Sequence, residues 1–417
     1  MSKRFTLADQ TIISGSNFIL FVFLSRILTK YELASFAVLW TIMLIIQSFQ
    51  ISIVLTPMLS LSKKDLPLKI QTSYYSSILK LQLIFSFIST ILVLLISLIN
   101  LNPEISIDFY LIIKFIPTII GLQFCEFIRR YYYSNLFFKK VFTYDLFRLF
   151  IQNFLLILLI ILSNEGIKNI NSVFLIFDIS IFASIFYFRY QNSGLYKVFK
   201  FKKLINFPLD EEHLRLSKSL IPSSLMQWTG GGLYSLLAGT MLGPTSLLAI
   251  KIIQNIVGLG NIIFQSIENT FITKLSLIYK ESKYKKSIFI NYANKLLLLT
   301  FILFLSIYVP IFLFSKPIIG IIYGVNYQNY DWLLQIFSVV YIFNAISICL
   351  KTFSISTKDI KIINIVYMVT NITSIFFGYF LIKNYALKGA GYGILITQLI
   401  NTSIFFAWWI LKSKKKV

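Results

Sequence analysis

Histidine is almost absent from this chain, and cysteine and carboxylates are scarce. Of 417 residues, one is histidine, two are cysteine and 16 are Asp or Glu. With His213 as the only histidine, a histidine-based triad, a zincin helix and a multi-histidine metal site are excluded. Cys125 and Cys349 both fall inside apolar runs, so no disulfide framework is expected. No Walker-type G-x-x-x-x-G-K-[ST] pattern occurs. The triplet Gly230, Gly231, Gly232 follows no strand and precedes no Gly-Lys, so it reads as helix flexing or close packing. Gly389, Gly391 and Gly393 read the same way. No cofactor is expected, and energy would come from an ion gradient, the membrane potential or the passenger's own gradient.

Charge is also thin. Charged residues make up 13% of the chain, against roughly a quarter in soluble domains. Hydrophobic residues make up 57%, and the mean hydropathy is +0.78. The charges gather between apolar runs of about 20 residues, long enough to cross a bilayer as helices. About twelve spans are expected, at 9–29, 33–61, 74–99, 108–136, 142–163, 170–190, 216–242, 246–275, 287–315, 331–356, 359–383 and 387–411. The first continues past Ser25 with no small-residue cleavage site and is expected to be retained. Pro57, Pro117, Pro222 and Pro310 lie inside or beside spans and should kink them.

What the chain has in excess is positive charge: 39 Lys and Arg give a formal net charge of +23. These residues are spread over many short loops rather than one patch, which favours a topological role over nucleic-acid binding. One alternating set holds Lys3 and Arg4; Lys63, Lys64 and Lys69; Arg129, Arg130, Lys139 and Lys140; and Arg189 with Lys197 to Lys203. It continues through Lys280 to Lys286, Lys358 and Lys361, and Lys412 to Lys416. The other set holds only Lys30, Lys168, Lys316, Lys383 and Lys388. By the positive-inside rule both termini are expected in the cytoplasm. The outer loops are short; the longest reads KPIIGIIYGVNYQNYD, Lys316 to Asp331. Such loops cannot form an external domain, and their carboxylates (Glu32, Glu104, Asp108, Glu165, Asp331) are scattered. A membrane glycosyltransferase or polymerase is therefore disfavoured, and no enzyme is expected.

The chain has two related parts. SGSNFILFVFLSRILTKYELASFA, from Ser14, lines up with TGGGLYSLLAGTMLGPTSLLAIK, from Thr229, placing Thr29-Lys30 near Gly243-Pro244 and Gln47 near Asn261. The expected fold is an all-α integral membrane protein of about twelve transmembrane helices, in two related six-helix halves around a central cavity. Residues 1–195 form the N-terminal half, 196–215 a cytoplasmic linker and 216–417 the C-terminal half. Two parallel halves are a common transporter plan.

Within the spans, KIIQNIVGLGNIIFQSIEN puts Lys251, Gln254, Asn255, Gly258, Asn261, Gln265 and Glu268 on one helical face. A polar stripe must face other helices or water. Interhelical hydrogen bonding and a water-filled cavity are both open. Asn17 in span one and Gln47 and Gln50 in span two repeat the theme. Cations at depth are Arg26, Lys80, Lys114, Arg148, Lys251 and Lys295; deeper acids are Glu126, Asp145, Asp178 and Glu268. Spacing pairs Arg148 with Asp145 and Arg130 with Glu126. Arg26 lies about 25 Å along its helix, where it either snorkels to headgroups or joins a cationic path. The interior charge thus leans positive, which suits an anionic passenger.

DQTIISGSNFILFVFLSRILTKYELASFAVLW, Asp9 to Trp40, resembles the opening of polysaccharide-export flippases of the multidrug/oligosaccharidyl-lipid/polysaccharide exporter superfamily. Ser14 to Asn17, Arg26 and Glu32 carry the match; Thr29-Lys30 departs from the family's Gly-Pro, which Gly243-Pro244 supplies in the second half. LGPTSLLAIKIIQNIVGLGNIIFQSIENTFITKL, Leu242 to Leu275, is similar to the family's seventh-to-eighth span region. The resemblance implies translocation of a polyprenyl-diphosphate-linked oligosaccharide (an O-antigen, capsule or exopolysaccharide repeat unit) across a bacterial cytoplasmic membrane by alternating access. Arg26 and Lys251 would contact the diphosphate or guide its sugars. Partners would be membrane lipids, a coupling ion (proton or sodium) and glycan polymerases. The second expectation is an ion-coupled multidrug-type antiporter of the same fold.

Overall fold

The structure is a computed structural model that describes residues 2–61, 68–98, 109–162, 167–191, 211–264, 267, 275, 278, 286–357 and 359–414. Among these residues the regular structure is entirely helical. The helices are α1 (Ser2–Ile27), α2 (Lys30–Gln50), α3 (Leu68–Leu98), α4 (Phe109–Ser134), α5 (Phe138–Leu162) and α6 (Ile170–Gln191). They continue with α7 (Glu211–Leu242), α8 (Pro244–Val257), α9 (Lys286–Leu313), α10 (Ser315–Tyr323), α11 (Asp331–Ser356) and α12 (Ile360–Lys414).

Ten helical stretches among the described residues are long and apolar enough to cross a membrane. One of them, Lys361–Ser413, is broken at Ala386, whose φ of 50° leaves the helical region, and so supplies two crossings. A Cβ on Gly389 would collide with the carbonyl oxygen of Leu381, so the break needs glycine there. α7, with 32 residues, is long enough to add another crossing, although its first turns are polar. Among the described residues, eleven of the twelve expected spans are thus found, and the seventh falls on α7, whose apolar part is Gly232–Leu242.

Contacts divide the chain into two compact units, Met1–Trp228 and Thr229–Val417. The division falls inside α7, beside the glycine triplet. Within the first unit the helices alternate in direction. At one end the Glu32 carboxylate accepts from the Ile170 amide at 3.3 Å, joining the α1–α2 turn to the start of α6. At the other end Tyr75 meets Ser134 at 3.1 Å and Tyr133 donates to Asp9 at 2.6 Å, gathering the starts of α1 and α3 with the end of α4. In the second unit, Trp409 donates to Asn294 at 3.0 Å and Trp408 to Asp359 at 3.0 Å. Those bonds bring together the start of α9, the α11–α12 junction and the end of α12.

The related turns of the two units are made by different chemistry. After α1, Thr29 caps α2: its hydroxyl accepts from the Glu32 amide, while Glu32 accepts from the Thr29 amide at 3.1 Å. This is a reciprocal capping box. After α7, Gly243 takes φ 93° and Pro244 opens α8, where its missing N–H costs nothing. The departure of Thr29-Lys30 from Gly-Pro therefore preserves the turn.

Proline also shapes α2. Pro57 cannot donate to the Ile53 carbonyl one turn back, and the helix widens into a π segment over Ile51–Leu55. The freed Ile53 oxygen is taken by Ser217 Oγ at 2.7 Å and His213 Nε2 at 3.0 Å, both from the head of α7. Tyr74 meets His213 Nδ1 at 3.2 Å, and the ring is buried. The lone histidine thus fastens α7 to α2 and α3. Elsewhere the helices turn apolar side chains outward: on α6, Leu175, Ile179, Phe182 and Phe186 are exposed, while Ser180 and Ser184 are buried. Small polar residues in the seams and large apolar residues outside are the pattern of a membrane bundle.

Candidate functional site

The first unit contains a cluster of buried charge. On α4, Glu126, Arg129, Arg130 and Tyr133 recur at helical spacing and share one face. α1 brings Asp9 to that face and α5 brings Asp145. The Arg129 guanidinium donates from Nε to Asp145 Oδ2 at 2.5 Å, from Nη1 to Glu126 Oε2 at 2.5 Å and from Nη2 to Asp9 Oδ2 at 3.2 Å. Arg130 donates to the other Glu126 oxygen at 2.9 Å. Asp9 and Asp145 are 1% and 0% exposed, so their charges are met by protein groups rather than water. One planar fork thus holds carboxylates from three helices.

The cluster is incomplete. Asp9 Oδ1, Asp145 Oδ1 and Arg148 Nε are buried with no hydrogen-bond partner. The Asp9 and Asp145 carboxylates are both bonded by the one Arg129 guanidinium. Two ionised carboxylates on one guanidinium repel, and a proton taken up by either would relieve that repulsion. The adjacent Arg129 disfavours a second cation there. Among the described residues, no group of three or more His, Cys, Asp or Glu is placed to hold a metal ion.

This geometry corrects two expectations and bears out one. Arg148 does not take Asp145 as an i, i+3 partner; Arg129, from another helix, does. Arg130 and Glu126 do pair, at 2.9 Å. Arg129 and Arg130 lie in the last turns of α4, inside the expected span, and the inward charge of the cluster is balanced rather than positive. Sequence reasoning missed Asp9 and Arg129. Their only signal is a carboxylate near the start of one apolar run and an arginine near the end of another.

The other candidates are dispersed. In the first unit, Asn17 is exposed on α1, Arg26 is exposed in its last turn, and Gln47 is half-buried on α2. Gln50 is fully buried and donates to Gln82 Oε1 at 2.9 Å and the Gln123 carbonyl at 2.7 Å, so it serves a polar seam. Lys114 sits 4.2 Å from the Tyr110 ring centre on α4.

In the second unit the stripe on α8 is not continuous. The helix tightens into a 3-10 turn over Gly258–Gly260, which rotates the residues downstream of it. Asn255 donates to the Tyr323 hydroxyl at 2.7 Å, a packed interhelical bond, while Asn261 is exposed. Lys251 is half-buried and has no polar partner among the described residues. Gln265 and Glu268 lie outside the described residues.

Neither a family model nor a curated protein matches the chain. Solved structures do. An inward-facing multidrug resistance MATE family transporter of the MOP superfamily superposes with TM-score 0.70 at 13% identity, over 100% of this chain and 96% of that one. An outward-facing one gives 0.64 at 15% identity, over 100% and 97%. A MOP superfamily transporter from Pyrococcus furiosus, described as having a binding pocket of reverse polarity, gives 0.61 at 14% identity, over 100% and 97%. The chain is thus a multi-pass membrane protein with the fold of MATE transporters of the MOP superfamily. Both expectations drawn from the sequence, the oligosaccharide flippase and the multidrug-type antiporter, share this fold.

Proposed function

We propose that the chain is a proton-coupled exporter of small organic molecules that works by alternating access. The whole-length likeness to multidrug transporters supports the class. The observation that carries the coupling is the Asp9–Asp145 pair, buried, bonded by one guanidinium, and orphaned at Oδ1 on both sides. Unpaired carboxylate oxygens inside a bundle are costly, and protonation removes the cost. Arg129 keeps the pair net attractive whether or not the proton is present, so the site binds and releases a proton without losing its frame. The positive-inside bias puts both termini in the cytoplasm and this cluster near that face.

The test is transport in proteoliposomes. Imposing a pH gradient should drive efflux of fluorescent dyes, a sodium gradient should not, and Asp145→Asn should abolish the response to pH. Sodium-driven efflux that survives Asp145→Asn would overturn the reading.

A second reading rests on Lys251. A half-buried lysine in a span, without a polar partner among the described residues, suits an anionic passenger, such as a polyprenyl-diphosphate-linked oligosaccharide handed to glycan polymerases. Gene deletion should then strand lipid-linked repeat units on the inner leaflet, and Lys251→Ala should reproduce that defect at normal protein level.

A further inference from the structure

A second carboxylate lies at membrane depth, away from the charge cluster. Asp178 is about 12 Å along α6 from its first residue, and Thr118 lies at similar depth on α4. Thr118 Oγ1 donates to Asp178 Oδ1 at 2.7 Å. That is the carboxylate's one hydrogen bond among the described residues, and no ion pair forms there. Thr118 is buried, whereas Asp178 is half-buried. Around it Leu175, Ile179 and Phe182 on α6 and Ile113 on α4 are exposed, so the seam opens on an apolar surface. Pro117, beside Thr118, leaves the Ile113 carbonyl of α4 without its intrahelical donor.

The surrounding charges are few. On α4, Lys114 lies one turn from Thr118 and is turned to the Tyr110 ring. Toward the other end, Cys125 of α4 and Tyr144 of α5 both meet Ser184, two turns along α6 from Asp178. Asp145 and Arg148 of α5 lie at that same end, and Asp145 is held by Arg129. α2 presents the Trp40 ring against Phe177 and no charged group. A lone carboxylate in hydrocarbon with one hydroxyl donor is cheaper neutral than ionised.

We propose that Asp178, positioned by Thr118, is a proton-binding site that faces the lipid from the α4–α6 seam. It is separate from the Asp9–Asp145 pair, and it holds whatever the passenger is. The protonated acid is also a modification site for a hydrophobic carbodiimide. The carboxyl proton moves to a carbodiimide nitrogen and the carboxyl oxygen bonds the central carbon. An oxygen-to-nitrogen acyl shift then leaves a stable N-acylurea, with no leaving group.

The experiment treats the full chain in proteoliposomes with dicyclohexylcarbodiimide over a pH series, and maps the adduct by peptide mass spectrometry. The expected result is one adduct on the α6 peptide, absent in Asp178→Asn. Its yield should fall about tenfold per unit above a midpoint, as for a single titrating acid. Thr118→Val removes a donor that favours the ionised form, so the midpoint moves to higher pH. No adduct at any pH, or an adduct from a water-soluble carbodiimide only, overturns the proposal. So does a Thr118→Val midpoint that is unchanged or lower.

Discussion

Arg129→Met is the sharpest test of how the first unit is held together. The guanidinium makes charge-assisted bonds to three carboxylates from three helices, at 2.5, 2.5 and 3.2 Å. Losing it does not affect them equally. Glu126 keeps Arg130 and Asp9 keeps the Tyr133 hydroxyl, while Asp145 loses its hydrogen bond. The cost is therefore close to that of one broken buried ion pair, about 3–5 kcal/mol, rather than three. For a unit of 228 residues this is a fall of roughly 6–20 °C in the unfolding midpoint, at about 2–4 °C per kcal/mol. Adding Asp145→Asn removes the stranded charge, so the double variant should regain about 1–3 kcal/mol. The assay is thermal unfolding of the four proteins in one detergent, read by intrinsic tryptophan fluorescence. A single-variant loss below about 1 kcal/mol, or no recovery in the double variant, would refute the reasoning.

Other predictions use separate parts of the molecule. Pro57→Ala restores a donor to the Ile53 carbonyl, so the cost of Ser217→Ala should drop from about 1 kcal/mol to near zero in that background, as read by unfolding midpoints. Gly389→Ala drives a methyl into the Leu381 carbonyl and should lower the folded yield, with a cost of about 3 kcal/mol. Thr29→Ala removes the capping box and should cost about 1 kcal/mol, with faster amide exchange confined to the first turn of α2. Asp359 carries the pH dependence: the Trp408 N–H and then the Lys412 ammonium hold its carboxyl below the usual carboxylate range. A depressed group adds stability above its unfolded pKa of about 3.9 and loses it as pH falls through the folded value. Asp359→Asn should erase that acid-side loss in a pH series of unfolding midpoints.

Much of the fold was legible in the sequence because membrane crossing needs little tertiary information. Span length and loop charge act locally, and the crossings among the described residues follow from them. The Ala386 break needed only the interruption between two apolar runs, and the glycine-proline turn of the second half announced itself. The charge cluster was not legible. Spacing pairs Asp145 with Arg148 on its own helix, but the Arg129 fork reaches it from α4 with better geometry. Which helices meet is a tertiary fact, and Asp9 enters the cluster only through it. The α8 stripe failed for another reason: a period of 3.6 assumes an unbroken helix, and the tight turn at Gly258–Gly260 ends that register. The same polar pattern served two ends, since Asn255 and Gln50 make packing bonds while Lys251 has no polar partner among the described residues.

The account turns on a proton held by the Asp9–Asp145 pair and given up when a passenger arrives. The direct measurement is proton release from detergent-solubilised protein in weakly buffered solution with a pH indicator, on addition of a transported dye. Wild type should release close to one proton per bound dye and Asp145→Asn none, with dye binding retained. Equal release from both proteins, or none from wild type while dye binds, would contradict it.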